Sequence, residues 1–268
     1  MSAAKNETVL DPARRTHLGI WRDEHDDITR EFFRWEVADL SQVCRDAMAA
    51  GVRKDVAGMD LGNVGDLIRP GYLPLETGIA RCADGGLSVA VWTAWPGTTG
   101  EMIDWWFGWH LARTERYKLW HPQAHQFAQP RFDLSDVPGL SDRERYIGNT
   151  SWVDEYIGPF PSRLAISFHE PVEIGLGQAD LASAGYGTVV CATTADSDSG
   201  QQLARLIHAV RRTPWGSEMR SRFIFPPGAP ELIGPFMLDH CWTEMTHLAG
   251  FLPRLYARVT ATGPHGKI

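Results

Sequence analysis

Two segments far apart in the sequence carry the residue types that bind a divalent cation. Within LDHCWTEMTHL, residues 238–248, His240 and Glu244 stand four apart and share one face of a helix. In EMIDWWFGWHLARTERYKLWHPQAH, His121 and His125 are again four apart. Imidazole nitrogen and carboxylate oxygen without sulfur are the ligands expected of a catalytic zinc, or of manganese or iron. We therefore examine the hypothesis that these two segments hold one metal ion.

Neither segment on its own is specific evidence of a metal site. Glu244 could face water or pair with a histidine or arginine, although a buried carboxylate would need a partner. His247 extends the same polar stripe by one turn and is more typical of a surface position. A further carboxylate could come from SWVDEYIG, where neighbouring side chains of a strand point to opposite faces, so only one of Asp154 and Glu155 can point inward.

Composition narrows the function classes. The net charge of -7 and the pI near 5.8 argue against nucleic-acid binding and favour a small-molecule partner. The four cysteines form no CxxC pair, which argues against a thiolate zinc site. The N-terminus lacks an apolar leader, and no apolar run approaches the roughly 20 residues that span a bilayer. These features predict a cytoplasmic protein that does not enter a membrane.

The N-terminal part is predicted to be a helical extension, residues 1–75. An amphipathic helix with an aromatic face is expected from Glu24 to Gly51, because aromatic and aliphatic residues recur there. A loop-rich passage with several glycines and prolines follows at residues 52–75. An aromatic helix ahead of the main fold favours a contact in a homodimer.

Residues 76–268 are predicted to form one catalytic domain. Strands are expected at GIARCA, LSVAVWTAW, TSWVDEYIG, RLAISFH, GYGTVVCATT and EMRSRFIF, while QQLARLIHAVRRT fits a strand or a helix. Thr98 or Thr99 is expected to cap a helix opening at Glu101, and a short helix is expected from Pro122 to Gln126. A long helix should then run from near Pro235 to about Ala249. The pattern predicts an α+β, helix-grip fold: a curved antiparallel sheet around a long C-terminal helix, with a hollow suited to an apolar ligand.

An ordered series of motifs makes the prediction more specific. DWWFGWH, RYKLWHPQAH, WVDEYIG, LIHAVR, EMRSRF and LDHCWTEMTHLAGFLP follow one another between about Gly71 and Pro253. Together they resemble the diacetylphloroglucinol hydrolase and phloretin hydrolase family. The resemblance implies a zinc-dependent hydrolase of the carbon-carbon bond between an acyl group and a phenolic ring, a helix-grip fold and a dimer.

The resemblance also implies roles for individual residues. The metal ligands, for one Zn²⁺ per chain, would be His125, Glu155, His240 and Glu244. His125 is preferred over His121 because it stands eight residues after Tyr117, as the family spacing requires. Tyr117 would be the phenol that binds the substrate or donates a proton, and His208 would reach the ring hydroxyls.

Three positions depart from the family pattern near the substrate ring. Ala128 and Phe223 stand where polar residues are expected, and His169 is the only nearby candidate for a second ring-binding histidine. The expected substrate is therefore an aromatic ketone of the acylphloroglucinol type, with two alternatives. One is a retro-Claisen hydrolase of a 1,3-diketone, and the other is a non-catalytic helix-grip carrier of a hydrophobic aromatic ligand.

Overall fold

A computed structural model describes residues 7–135 and 137–261. A single nine-stranded sheet dominates it, with strand order β1-β2-β3-β9-β8-β7-β6-β5-β4. The sheet is antiparallel except where the two-residue β1 pairs with β2. The strands are β1 Val52–Arg53, β2 Gly78–Arg81, β3 Leu87–Pro96, β4 His125–Pro130, β5 Thr150–Ile157, β6 Phe160–His169, β7 Tyr186–Asp196, β8 Gln202–Thr213 and β9 Gly216–Phe225.

The helices lie before, between and after the strands. Those in the described residues are α1 Asp27–Phe32, α2 Gln42–Ala50, α3 Gly100–His110, α4 Thr114–Trp120, α5 Asp142–Tyr146, α6 Gln178–Ser183, α7 Ile233–Ala249 and α8 Leu252–Thr260. Short 3-10 turns cover Val64–Ile68 and Pro171–Ile174. Across this part of the chain, no helix combines the length and the apolar character that a membrane span requires.

The long helix α7 is wrapped by the sheet. It packs on β2 and β3 near one end of the strand order and on β5 near the other, so the sheet must curve around it. Leu238, Cys241 and Met245, spaced three and four apart, are fully buried against the inner face of the sheet. The predicted α+β helix-grip fold is confirmed, and so is a tail helix close to the predicted bounds.

The structure corrects two predicted elements and decides between the two conformations left open for a third. The expected helix from Glu24 to Gly51 is wrong: α1 ends where Phe33 turns extended, and α2 begins only after its cap, Ser41. The expected helix from Pro122 to Gln126 is also wrong, because one turn closes from the His125 N–H to the His121 carbonyl and β4 then starts. QQLARLIHAVRRT is a strand. The domain boundary at residue 75 and the dimer contact stay predictions.

The outer face of the sheet, opposite α7, holds a buried group of charges. Arg220 and Arg222 alternate along β9 with the inward-facing Ser221 and reach the carboxylate of Glu76 at 2.5–3.1 Å. Arg220 also donates to the Tyr186 hydroxyl at 2.6 Å. We call Glu76, Arg220 and Arg222 the outer charge cluster; it ties the loop before β2 to the sheet.

The N-terminal arm, residues 7–24, packs along β4, β5 and α4. Arg14 donates two hydrogen bonds of 2.8 Å to the Asp154 carboxylate, and both side chains are buried. The fully buried ammonium of Lys118 lies 3.2 Å from His17 Nε2 and 3.7 Å from a Glu24 oxygen. The arm thus contacts the residue next to Glu155 and the residue next to Tyr117.

Candidate metal centre

Neighbouring strands and the long helix bring four side chains to one point inside the sheet. His125 is the first residue of β4 and pairs directly with Glu155 on β5. From the other side, α7 presents His240 and Glu244 one turn apart. All four are at least nine-tenths buried. We call His125, Glu155, His240 and Glu244 the inner ligand cluster.

Three members of the inner ligand cluster, His125, Glu155 and His240, each offer a ligand atom, and these three atoms all lie within 4.8 Å of one another. His125 Nε2 lies 3.5 Å from one oxygen each of Glu155 and Glu244. His240 Nε2 lies 3.9 and 3.7 Å from the same two oxygens. These distances are too long for hydrogen bonds. Bonds of about 2.0–2.2 Å to a tetrahedral zinc would separate the ligand atoms by about 3.4 Å.

Hydrogen bonds to the backbone orient both imidazoles. His125 Nδ1 lies 2.9 Å from the Tyr117 carbonyl oxygen, which only accepts, so Nδ1 carries the proton and Nε2 presents its lone pair to the carboxylates. His125 Nε2 is buried and has no hydrogen-bond partner among the described residues. His240 bonds to the backbone of Tyr156. Such partners fix the tautomer of a metal-binding histidine.

Burial sets the protonation of the cluster. It raises the pKa of Glu155 to about 7, and it raises that of Glu244, which the nearby charge of Glu155 raises further. It lowers the pKa of His240 to about 4 and that of His125 well below its usual value. Two buried carboxylates beside neutral imidazoles are therefore poorly compensated, and a cation would offset their charge.

Tyr117 joins the cluster from α4. Its hydroxyl donates a hydrogen bond to Glu155, and its ring stacks on His125 with centroids 3.7 Å apart and planes 2° apart. Burial, and then the charge of Glu155, raises the pKa of Tyr117 well above its usual value, so the phenol keeps its proton. The structure therefore places the predicted proton donor beside the predicted ligands.

An apolar cavity of about 140 Å³ opens beside Tyr117, Glu155, His240 and Glu244. It is close to the roughly 150 Å³ of an apolar cavity that binds benzene, so one aromatic ring is the right scale of occupant. Most of its wall is aromatic and aliphatic: Phe107, Leu111, Trp120, Val153, Ile157, Leu164, Ile166, Phe168, Leu206, Phe223, Phe225 and Met237.

His208 enters the cavity from β8. Its Nδ1 lies 2.8 Å from the Ser221 hydroxyl, and burial lowers its pKa to about 3. Phe223, one of the departures from the family pattern, lines the cavity and contacts His208 edge-on at 5.8 Å. The predicted ring-binding histidine is thus in place, beside a phenyl group that offers no hydrogen bond.

The other candidate residues lie around this centre. His121 is buried with its ring 4.9 Å from that of His240, and His247 is half-buried one turn beyond Glu244 on α7. Ala128 lies in the core but is not part of the cavity wall. His169 is not placed at the ring: it bonds Thr193 on the face away from the cavity. His110, the first of three histidines in EMIDWWFGWHLARTERYKLWHPQAH, received no role from the sequence, but it lines the cavity.

Fold and site together define a helix-grip protein with a buried group of possible metal ligands opening on an apolar cavity. Residues 59–257 match the family model described as the DAPG hydrolase PhiG domain. The chain belongs to this family. It is 29% identical to a 2,4-diacetylphloroglucinol hydrolase from Pseudomonas sp, covering 84% of this chain and 86% of that protein. It is 31% identical to phloretin hydrolase from Eubacterium ramulus, covering 69% of this chain and 72% of that protein.

Among solved structures the similarity is weaker. Ara h 8.0201 overlaps with a TM-score of 0.41 and 10% sequence identity, covering 63% of this chain and 99% of that one. A norcoclaurine synthase point mutant overlaps with a TM-score of 0.36 and 10% identity, covering 62% of this chain and 97% of that one.

Proposed function

We propose that this protein is a zinc-dependent hydrolase that cleaves the carbon-carbon bond between an acyl group and a polyhydroxylated aromatic ring. Water supplies a hydroxyl to the acyl carbon and a proton to the ring carbon, so the products are a carboxylic acid and a phenol. The observation that carries the proposal is the inner ligand cluster, with N–O separations of 3.5–3.9 Å at the end of a ring-sized apolar cavity. The names of the two hydrolase relatives support the acylphenol substrate.

The inner ligand cluster fits a zinc ion. Two neutral imidazoles and two carboxylates supply borderline and hard donors without sulfur. Nε2 of His125 is buried without a partner, and burial disfavours the charged form of Glu244 and so raises its pKa. A bound cation would remove both of these unfavourable effects. When bound, zinc would polarise a carbonyl group and lower the pKa of water. His125, Glu155, His240 and Glu244 would hold it.

Tyr117 and His208 would act on the aromatic ring of the substrate. The ring carbon can leave only if it gains a proton, which an ortho or para hydroxyl makes feasible through the dienone tautomer. Tyr117 keeps its proton at neutral pH and lies at the junction of cluster and cavity, so it can deliver one. A correctly placed acid contributes about a hundredfold to ten-thousandfold in rate. His208 would bind a ring hydroxyl.

Aromatic side chains keep the leaving ring away from water. Phe107 and Trp120 meet edge-to-face, with centroids 5.5 Å apart, on the α3–α4 side of the cavity. The sheet side is closed by aliphatic residues such as Val153 and Leu164. In such surroundings the hydrogen bonds of Tyr117 and Glu155 act at low dielectric, where they are stronger.

The experiment is metal analysis of protein purified without added metal, followed by assays for released carboxylic acid. We expect about one zinc per chain and cleavage of an acylphloroglucinol. A simple 1,3-diketone tests the retro-Claisen alternative, and cleavage of the diketone alone would contradict the proposed substrate. Folded protein without zinc that binds aromatics and is unaffected by Glu244→Ala except in stability would make it a carrier.

A further inference from the structure

His110, the last residue of α3, is a buried cavity residue without a role in the proposed reaction. Its side chain is 2% exposed and lies in the cavity wall. Its ring stacks on Trp106 at 5.0 Å and lies 6.1 Å from the ring of Tyr117, tilted by 20°. Its position on the cavity side of Tyr117 makes it a candidate for contact with a bound ring.

The tautomer of His110 is fixed by its own helix. Nδ1 lies 2.8 Å from the Trp106 carbonyl oxygen. Because a carbonyl only accepts, Nδ1 must carry the proton. Burial lowers the pKa of His110 to about 3, so the ring is neutral at pH 7. Nε2 is therefore an acceptor on the ring edge away from α3, and the hydrogen bond that His110 makes with the described residues is the one through Nδ1.

The placement of His110 suits the far side of a bound ring. The rings of His125, Tyr117 and His110 follow one another at 3.7 and 6.1 Å, leading away from the inner ligand cluster. Phe107 contacts both His110, at 5.4 Å, and His208, at 6.3 Å. A substrate with its acyl group at the cluster would thus extend its ring toward these two histidines.

We propose that His110 Nε2 accepts a hydrogen bond from a ring hydroxyl and so makes His110 a specificity-determining residue for free phenols. A methyl ether or a carbonyl oxygen at the same place has no proton to donate, so its lone pair would repel the lone pair of Nε2. His208 differs, because its Ser221 partner can donate or accept and leaves its tautomer open. The inference rests on the proposed function for the identity of the ring.

The test measures ring binding apart from ring cleavage. Phloroglucinol carries ring hydroxyls but no acyl group to hydrolyse, and mesitylene replaces each hydroxyl by a methyl group of similar size. Calorimetric titration of the zinc-loaded protein gives both affinities. We expect His110→Phe to bind phloroglucinol about fivefold to tenfold more weakly, the factor that one net hydrogen bond supplies. Its affinity for mesitylene should be unchanged.

Matched variants separate hydrogen bonding from packing. His110→Gln keeps an acceptor near the position of Nε2 and should retain phloroglucinol affinity within about threefold. His110→Leu is a second variant without an acceptor, should the phenylalanine disturb folding. His169→Gln, on the other face of the sheet, should bind both probes like the unmodified protein.

Two outcomes would overturn the proposal. The first is an unchanged phloroglucinol affinity in both His110→Phe and His110→Leu. The second is an equal loss of affinity for phloroglucinol and mesitylene, which would mean that His110 contacts the ring only by packing. A failure of the proposed function would show differently, as intact phloroglucinol selectivity without release of carboxylic acid from any acylphenol.

Discussion

The two faces of the sheet bury charged clusters of opposite character. In the outer charge cluster, Arg220 and Arg222 hold Glu76 at 2.5–3.1 Å. Burial alone would raise the pKa of Glu76, but the two arginines outweigh it and lower that pKa. In the inner ligand cluster, burial raises the pKa of Glu155 and Glu244, and no cationic side chain among residues 7–135 and 137–261 reverses the effect.

The difference distinguishes a structural ion pair from a binding site. The outer cluster contains its own cations and fixes one arrangement of loop and sheet. The inner cluster contains acceptors at 3.5–3.9 Å that leave room for an ion between them. Both clusters are buried and charged, so the presence or absence of a paired cation is what marks the inner cluster as the candidate binding site.

The largest effect is expected from Glu155→Gln. Removing a carboxylate ligand should abolish most zinc binding and turnover, beyond the roughly 10–100-fold that loss of an outer partner of a ligand costs. The fold should stay intact, because one buried negative charge is also removed. Zinc content by elemental analysis, together with circular dichroism, checks this. Unchanged zinc occupancy would mean that Glu155 is not a ligand.

Tyr117→Phe removes the phenol hydroxyl beside the inner ligand cluster and leaves the proposed ligands in place. The variant should keep about one zinc per chain but lose activity by about a hundredfold to ten-thousandfold, since a placed proton donor is gone. Turnover of an acylphenol and zinc content are measured on the same sample. Full activity in the zinc-loaded variant would remove the proposed acid role of Tyr117.

Glu76→Gln addresses the outer charge cluster. It leaves Arg220 and Arg222 side by side without their carboxylate, so the free energy of unfolding should fall by about 3–5 kcal/mol. Zinc content per folded chain should not change. Urea titration measures the stability, and a loss of zinc from folded Glu76→Gln protein would show that the two clusters are not separate in function.

The smallest effect is a pH dependence of zinc affinity. Burial raises the pKa of Glu155 to about 7, and burial and the charge of Glu155 raise that of Glu244, so protons must leave both carboxyl groups for zinc to bind at low pH. Affinity should weaken by at least about tenfold for each pH unit below 7. His240, with a pKa of about 4, contributes little in this range. Competition with a chelating dye checks it, and a constant affinity from about pH 5 to 8 would contradict it.

Much of the fold was predictable because apolar residues alternate along its strands and recur every three or four residues along its tail helix. Leu238, Cys241 and Met245 predicted the buried stripe of α7 correctly. The conformation from Phe32 to Leu40 could not be predicted from the sequence. The apolar residues there are irregularly spaced, and packing on the main fold decides where the chain becomes extended. His125 was placed in a helix because strand pairing with Glu155 is not visible locally.

The candidate ligands were predictable only through the ordered motifs. The four-residue spacing of His240 and Glu244 says nothing about whether that face meets water. His110 received no role from the sequence because one histidine at the end of an aromatic helix has no distinguishing pattern. Its fixed tautomer depends on the Trp106 carbonyl. The pairing of Glu76 with Arg220 and Arg222 joins residues too distant in sequence to be recognised.

The N-terminal arm has a consequence for how much of the chain the inner ligand cluster depends on. Residues 7–24 precede the stretch matched by the family model, which starts at residue 59. A protein cut at that limit would retain every candidate ligand, yet Asp154 would lose Arg14, and Lys118 would lose His17 and Glu24. Two charges without partners would then adjoin Glu155 and Tyr117, so the stretch matched by the family model is smaller than the unit that keeps the centre in shape.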